Sequence, residues 1–106
     1  MLIYEVAVTV DQEIMSQYVQ WMSEEHIPEV LRCPGFVKAE FLLEPEGRPR
    51  VRVLYFIKDA TFLKRYLSEY APSLRQKSLD RWKDHFQAER SIWALYGTMM
   101  APPPQK

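Results

Sequence analysis

A single cysteine, Cys33, and three glycines are all that the chain offers of either residue. One thiol cannot close an intrachain disulfide, and so few glycines leave no phosphate-cradling loop, so a disulfide-stapled scaffold and P-loop nucleotide chemistry are both set aside. No apolar run approaches the roughly 20 residues that cross a bilayer. The opening Met1-Leu2-Ile3-Tyr4-Glu5 has no basic region, apolar stretch or small-residue cleavage site of a secretory signal. The expected location is the cytoplasm, with no membrane partner. An excess of one charge is missing too: Lys plus Arg and Asp plus Glu each total 14, so no long-range field draws in nucleic acid. Metal ligands at useful spacing are also lacking. His26 and His85 lie far apart in sequence, and the adjacent Glu25 and His26 cannot share one helical face. No metal and no other cofactor is expected.

What the chain has in quantity is aromatic surface. With 3 Trp, 6 Tyr and 5 Phe in 106 residues, it has the length of one domain and more aromatic area than one small core conceals. Some of that area is expected to meet a partner subunit or a ligand.

Residues 2–10 alternate, with Tyr4, Val6, Val8 and Val10 on one side, which predicts a strand with an apolar face. Asp11 is placed to cap a helix whose apolar positions Ile14, Tyr18, Trp21 and Met22 recur at helical spacing. Pro28 lacks an N–H and disfavours helical geometry at Ile27, so the helix should kink or restart there before ending at Pro34-Gly35. His26 lies at that break. Residues 36–44 and 50–58 alternate on either side of a turn-rich Pro45-Glu46-Gly47-Arg48-Pro49 and predict an antiparallel hairpin. Asp59 caps a second helix, Pro72 opens a further helical segment, and residues 88–96 form a fourth strand. The expectation is one domain over 1–97, with 98–106 a flexible Pro-rich tail.

This order, β-α-β-β-α-β, is the ferredoxin-like plan: an α+β fold with both helices on one face of a four-stranded antiparallel sheet. The other face is bare. Alternation assigns to it Ile3, Glu5, Ala7 and Thr9, then Phe36, Lys38, Glu40 and Leu42, then Arg52, Leu54, Phe56 and Lys58. For the fourth strand either Arg90, Ile92 and Ala94 or Glu89, Ser91, Trp93 and Leu95 share the bare side. A face this apolar and this charged predicts a homodimer packed sheet to sheet around a partly polar space. The plainer alternative is that the charges pair across neighbouring strands without enclosing anything.

Four pieces, Ile3-Tyr4-Glu5-Val6, His26-Ile27-Pro28-Glu29 with Pro34-Gly35-Phe36, Tyr70-Ala71-Pro72-Ser73-Leu74-Arg75, and Arg81-Trp82 through Phe86 to Arg90, carry a resemblance. Across nearly its whole length the chain resembles the bacterial family catalogued as domain of unknown function 4286, itself similar to the dimeric α/β-barrel proteins. The resemblance implies a fold rather than a reaction, because the wider superfamily spans cofactor-independent oxygenases, haem-degrading enzymes, dismutases and ligand-binding regulators.

Candidate chemistry centres on His26, whose imidazole titrates near neutrality and whose place at a helix break leaves it free to turn into a cavity as a general base. The competing role is local, satisfying carbonyls at the helix end. Arg75, Arg81 and Arg90 offer planar forks for carboxylate or phosphate, with Tyr55, Tyr70 and Trp82 as walls. Against that, Arg75 and Arg81 are spaced to pair with Glu69, Asp80 or Asp84 on the surface. Cys33 at a helix end reads as small filler. From the sequence alone, the leading expectation is a homodimer that binds a small organic or anionic molecule, or a protein partner, without catalysis. The second is a cofactor-independent monooxygenase or isomerase using His26.

Overall fold

The computed structural model describes residues 1–105; Lys106, the last residue of the tail read from the sequence, lies outside them. Four strands, β1 (Leu2–Val10), β2 (Phe36–Leu43), β3 (Arg50–Ile57) and β4 (Phe86–Ala94), form one sheet in the order β2-β3-β1-β4, with every neighbouring pair antiparallel. The first crossover carries α1 (Met15–Trp21) and α2 (Ile27–Leu31), and the second carries α3 (Ala60–Arg65) and α4 (Ala71–Trp82). This is the ferredoxin-like fold that the β-α-β-β-α-β order implies. After Ala94 no described residue is in a helix or strand.

The two helices of each crossover are joined by a widened π turn, Met22–His26 in the first and Tyr66–Tyr70 in the second. Each turn stands immediately before a proline in the second position of the following helix, Pro28 or Pro72. A proline offers no N–H to the carbonyl four residues back and its ring crowds that carbonyl, so the chain relaxes by widening. The Ile27 N–H reaches back five residues to Met22 O, and the Ala71 N–H to Tyr66 O. The break expected at Pro28 is thus a bulge in a continuous helical path.

The core lies between sheet and helices. Val53 and Ile57 are wholly inaccessible, and Tyr4, Val8 and Tyr55 meet Tyr18, Met22, Val30, Tyr66 and Leu74 from the helices. Asp59 caps α3 as expected, its carboxylate accepting the N–H groups of Thr61 and Phe62 at 2.9 and 3.2 Å.

Three expectations are corrected. Asp11 caps nothing with its side chain, because its carboxylate is taken by His85 Nδ1 at 2.7 Å. The second correction concerns the start of β2, where an irregularity between Phe36 and Lys38 pairs Phe36 with the core-facing Ile57 and leaves Val37 half exposed. Phe36 therefore packs against Tyr55 and Tyr66 on the helix side instead of lying on the bare face. The ambiguity of the fourth strand is settled by its register on β1: Ile92 sits opposite Tyr4, Arg90 opposite Val6 and Ala88 opposite Val8. Residues opposite one another share a face, so Arg90 belongs with the helices and Glu89, Ser91 and Trp93 with the bare side. That strand also starts and stops two residues earlier than alternation suggested, at Phe86 and Ala94.

Candidate active site

Between sheet and helices the core is interrupted by a cavity of about 40 Å³ lined by Tyr4, Val6 and Val8 of β1, Tyr55 of β3, Phe86, Ala88 and Arg90 of β4, and helical residues that include Tyr18, Met22, His26, Tyr66, Arg75 and Ser78. Larger hollows of about 310 and 450 Å³ flank Ala7, but they are open troughs on the bare side and edge of the sheet, lined by Arg50 and Arg52 or by Arg50, Gln87 and Glu89. The inner cavity is where titratable side chains of the sheet and both helical crossovers converge.

Both widened turns deliver side chains to it, Met22 and His26 from one and Tyr66 from the other. The His26 ring stacks on Trp21 with centroids 4.8 Å apart and planes at 19°. Its Nδ1 is buried and has no hydrogen-bond partner among the described residues. Burial is the main reason that its pKa is lowered to about 4; Glu29 opposes the shift, and Arg90 and Lys77 add to it. The imidazole is therefore uncharged at neutral pH, a state in which one ring nitrogen keeps a free lone pair.

Arg75 donates a hydrogen bond to the Tyr4 hydroxyl at 2.9 Å. The Tyr4 ring meets Tyr66 edge-on at 5.8 Å and lies stacked with Tyr55 at 6.3 Å. Burial raises the pKa of Tyr18, Tyr55 and Tyr66, so these phenols stay protonated. No carboxylate lines the cavity among the described residues, while two guanidiniums do. A chain of zero formal charge thus holds a locally cationic pocket.

Of the residues singled out from the sequence, the fold brings His26, Tyr55, Arg75 and Arg90 together at this cavity. Three others lie elsewhere. Tyr70 sits in a surface groove with Glu29, Arg32 and Cys33, its ring under the Arg65 guanidinium at 5.9 Å. Arg81 is exposed and lies 5.0 Å over the Trp82 ring. Trp82 is core, edge-on to Tyr18 at 5.5 Å and Trp21 at 5.8 Å. The surface pairing considered for Arg75 gives way to Tyr4, because α4 turns Arg75 toward the sheet. Cys33 is buried, and burial raises its thiol pKa, as suits a small filler. Sequence reasoning missed Tyr4, Tyr18, Tyr66 and Ser78; the hydroxyl on an otherwise apolar face was the available signal for the three tyrosines. Away from the cavity, the fold brings Asp11, Glu13 and His85 together, with ligand atoms within 4.8 Å, although His85 is already paired with Asp11.

The model of the family described as Domain of unknown function (DUF4286) matches residues 1–96. The chain belongs to the DUF4286 family. No curated protein matches it. Among solved structures, the DUF4286 fold is similar to that of a Deinococcus radiodurans protein provisionally assigned as an antibiotic biosynthesis monooxygenase, with a TM-score of 0.74 at 7% identity over 96% of this chain and 99% of that one. The heme degrader MhuD of Mycobacterium tuberculosis, solved with two hemes in its active site, gives 0.72 at 13% identity over 94% and 100%. The cofactor-independent oxygenase SnoaB of Streptomyces nogalater gives 0.67 at 15% identity over 92% and 95%.

These neighbours correct the leading expectation from the sequence. The binding module without catalysis no longer leads, since the three structures named above are described as a provisionally assigned monooxygenase, a heme degrader and a cofactor-independent oxygenase. Heme itself does not fit the cavity: about 40 Å³ is room for roughly one or two water molecules, so a porphyrin would have to displace the side chains that line it. No described helix is long and apolar enough to cross a membrane.

Proposed function

We propose that this DUF4286 chain is a cofactor-independent monooxygenase in which His26 accepts a proton from a small, already acidic substrate. The observation that carries the reading is the company His26 keeps: an uncharged, largely buried imidazole shares with Arg75 and Arg90 a cavity that no carboxylate lines among the described residues. A base with a pKa of about 4 removes a proton only where the resulting anion is stabilised, and two guanidiniums supply that stabilisation. The electron pair left on carbon then adds dioxygen. The hydroperoxide loses water to leave a carbonyl, so a CH2 group becomes C=O, with one oxygen atom in the product and one in water. At about 40 Å³ the cavity takes only the acidic end of a substrate, the rest of the molecule lying toward its opening or displacing side chains that line it.

The same reading takes the chain to be a cytoplasmic homodimer, joined through the bare face where Leu42 and Trp93 are 44% and 57% exposed, with a single domain over 1–97 and a terminal extension over 98–106. Glu5 pairs there with Arg52 at 3.6 Å and Lys38 with Glu40 at 3.5 Å, so this face presents few unpaired charges to a second copy.

Oxygen uptake with small 1,3-dicarbonyl compounds and hydroquinones tests the reaction. The wild type is expected to consume oxygen and place one labelled atom from ¹⁸O₂ in the product. His26→Gln should be slower by about 10²–10⁴-fold, the usual weight of a positioned base. Solvent deuterium exchange at carbon without oxygen uptake would convert the reading to an isomerase; neither exchange nor uptake would refute it.

A further inference from the structure

Tyr4 is 3% exposed, and Arg75 donates to its hydroxyl oxygen at 2.9 Å. A guanidinium has donors only, so the phenol must be the acceptor in this contact and its own O–H is left to give. Among the described residues nothing takes that proton. A buried donor without a partner is costly, and here it belongs to a side chain that lines the cavity. The charged donor on its oxygen also polarises the O–H and strengthens it as a donor. Arg90 brings a second guanidinium from β4, one strand over and opposite Val6.

We propose that Tyr4 and Arg75 form an oxyanion cradle, in which the Tyr4 O–H, backed by the Arg75 guanidinium and with Arg90 as a second cation, holds one anionic oxygen of an enolate, phenolate or carboxylate. The proposal deepens the oxygenase reading, for it names what holds the anion that His26 creates. It also sets the substrate class: the group that enters presents an anionic oxygen, and an ammonium finds no carboxylate in the lining to pair with. The buried neutral phenols of Tyr55 and Tyr66 wall the space around Tyr4 and add no competing charge.

The test uses 4-nitrophenol, whose absorbance reports its ionisation, with acetate as a competitor. The wild type should bind 4-nitrophenolate at least tenfold more tightly than 4-nitrophenol, and acetate should displace it. Tyr4→Phe should erase about tenfold of that preference while affinity for the neutral phenol stays unchanged. Arg75→Gln, changed at a partly exposed position, reads the same element if Tyr4→Phe fails to fold. His26→Gln should retain the preference and lose turnover, so a wrong base and a wrong cradle give different results. Equal binding of the two ionisation states by the wild type, or a preference that survives Tyr4→Phe in a protein that still melts cooperatively, overturns the proposal.

Discussion

In the first half of the chain the helix widens at Met22–His26 just ahead of Pro28, and in the second half it widens at Tyr66–Tyr70 just ahead of Pro72. The opening residues of both turns, Met22 and Tyr66, are buried and reach the cavity. The closing residues part company. His26 faces the cavity with its ring stacked on Trp21, which directly precedes the first turn. Tyr70 stays at the surface beneath Arg65, which directly precedes the second. Each closing ring thus lies against the residue five positions before it. Where that residue is an indole the ring turns to the cavity, and where it is a guanidinium that also pairs with Glu69 at 2.9 Å the equally half-buried ring turns to the groove beside Glu29 and Cys33. The same backbone device yields a candidate base in one half and a surface aromatic in the other, and the neighbouring side chain makes the difference.

The largest expected effect separates the two turns by activity. Tyr70→Phe should leave oxygen uptake within about twofold of the wild type, whereas His26→Gln loses about 10²–10⁴-fold; equal losses would erase the distinction drawn between the two halves.

Next in size is the contrast between the two exits from the helical layer. The first leaves through Gly35 at φ 84° and the second through Lys83 at φ 55°. A methyl group at Gly35 would collide with the Phe62 ring and would be strained by the positive φ as well. Gly35→Ala should cost about 3 kcal/mol or more, measured as a lowered urea midpoint.

A pH dependence follows from His26. The unfolded chain binds its imidazole proton near 6.5, but burial lets the folded chain bind it only at about 4. Between those values the unfolded state carries more protons, so stability falls as the pH falls, by up to about 3 kcal/mol. His85, whose pKa Asp11 raises through a hydrogen bond, works in the opposite direction. The difference between wild type and His26→Phe across pH 7 to 4 in chemical denaturation isolates the His26 contribution, and parallel curves would contradict the burial argument.

The smallest effect belongs to the second exit, where Trp82 O accepts the His85 N–H at 3.0 Å and Lys83 stands at φ 55°, ψ −126°. That conformation suits glycine, so Lys83→Gly should stabilise by about 0.5–1 kcal/mol, seen as a higher Tm.

The strands, the two crossovers and the break before Pro28 were legible because alternation and proline act locally. The β2 irregularity was not, since Phe36-Val37 are both apolar and only pairing with Ile57 selects which one faces in. The facing of β4 was hidden for the same reason: Arg90 and Ile92 alternate with Glu89, Ser91 and Trp93, and the choice depends on which residue of β1 lies opposite. At the site, His26, Tyr55, Arg75 and Arg90 carried recognisable chemistry, whereas Tyr4, Tyr18 and Tyr66 sat at apolar-face positions and passed for core. Their meeting is a product of the sheet order, which draws distant segments to one point.

A widened turn also has a consequence for inheritance. One residue added to a helix rotates everything after it by about 100°, and the π turn absorbs that extra residue without turning Val30 or Leu74 out of the core. Losing one residue from Met22–His26 would swing the following segment through more than a quarter turn, and the mismatch would surface at His26 first. Length in these two turns is therefore under tighter constraint than the identity of most residues within them, and related chains should differ there by substitution far more readily than by insertion or deletion.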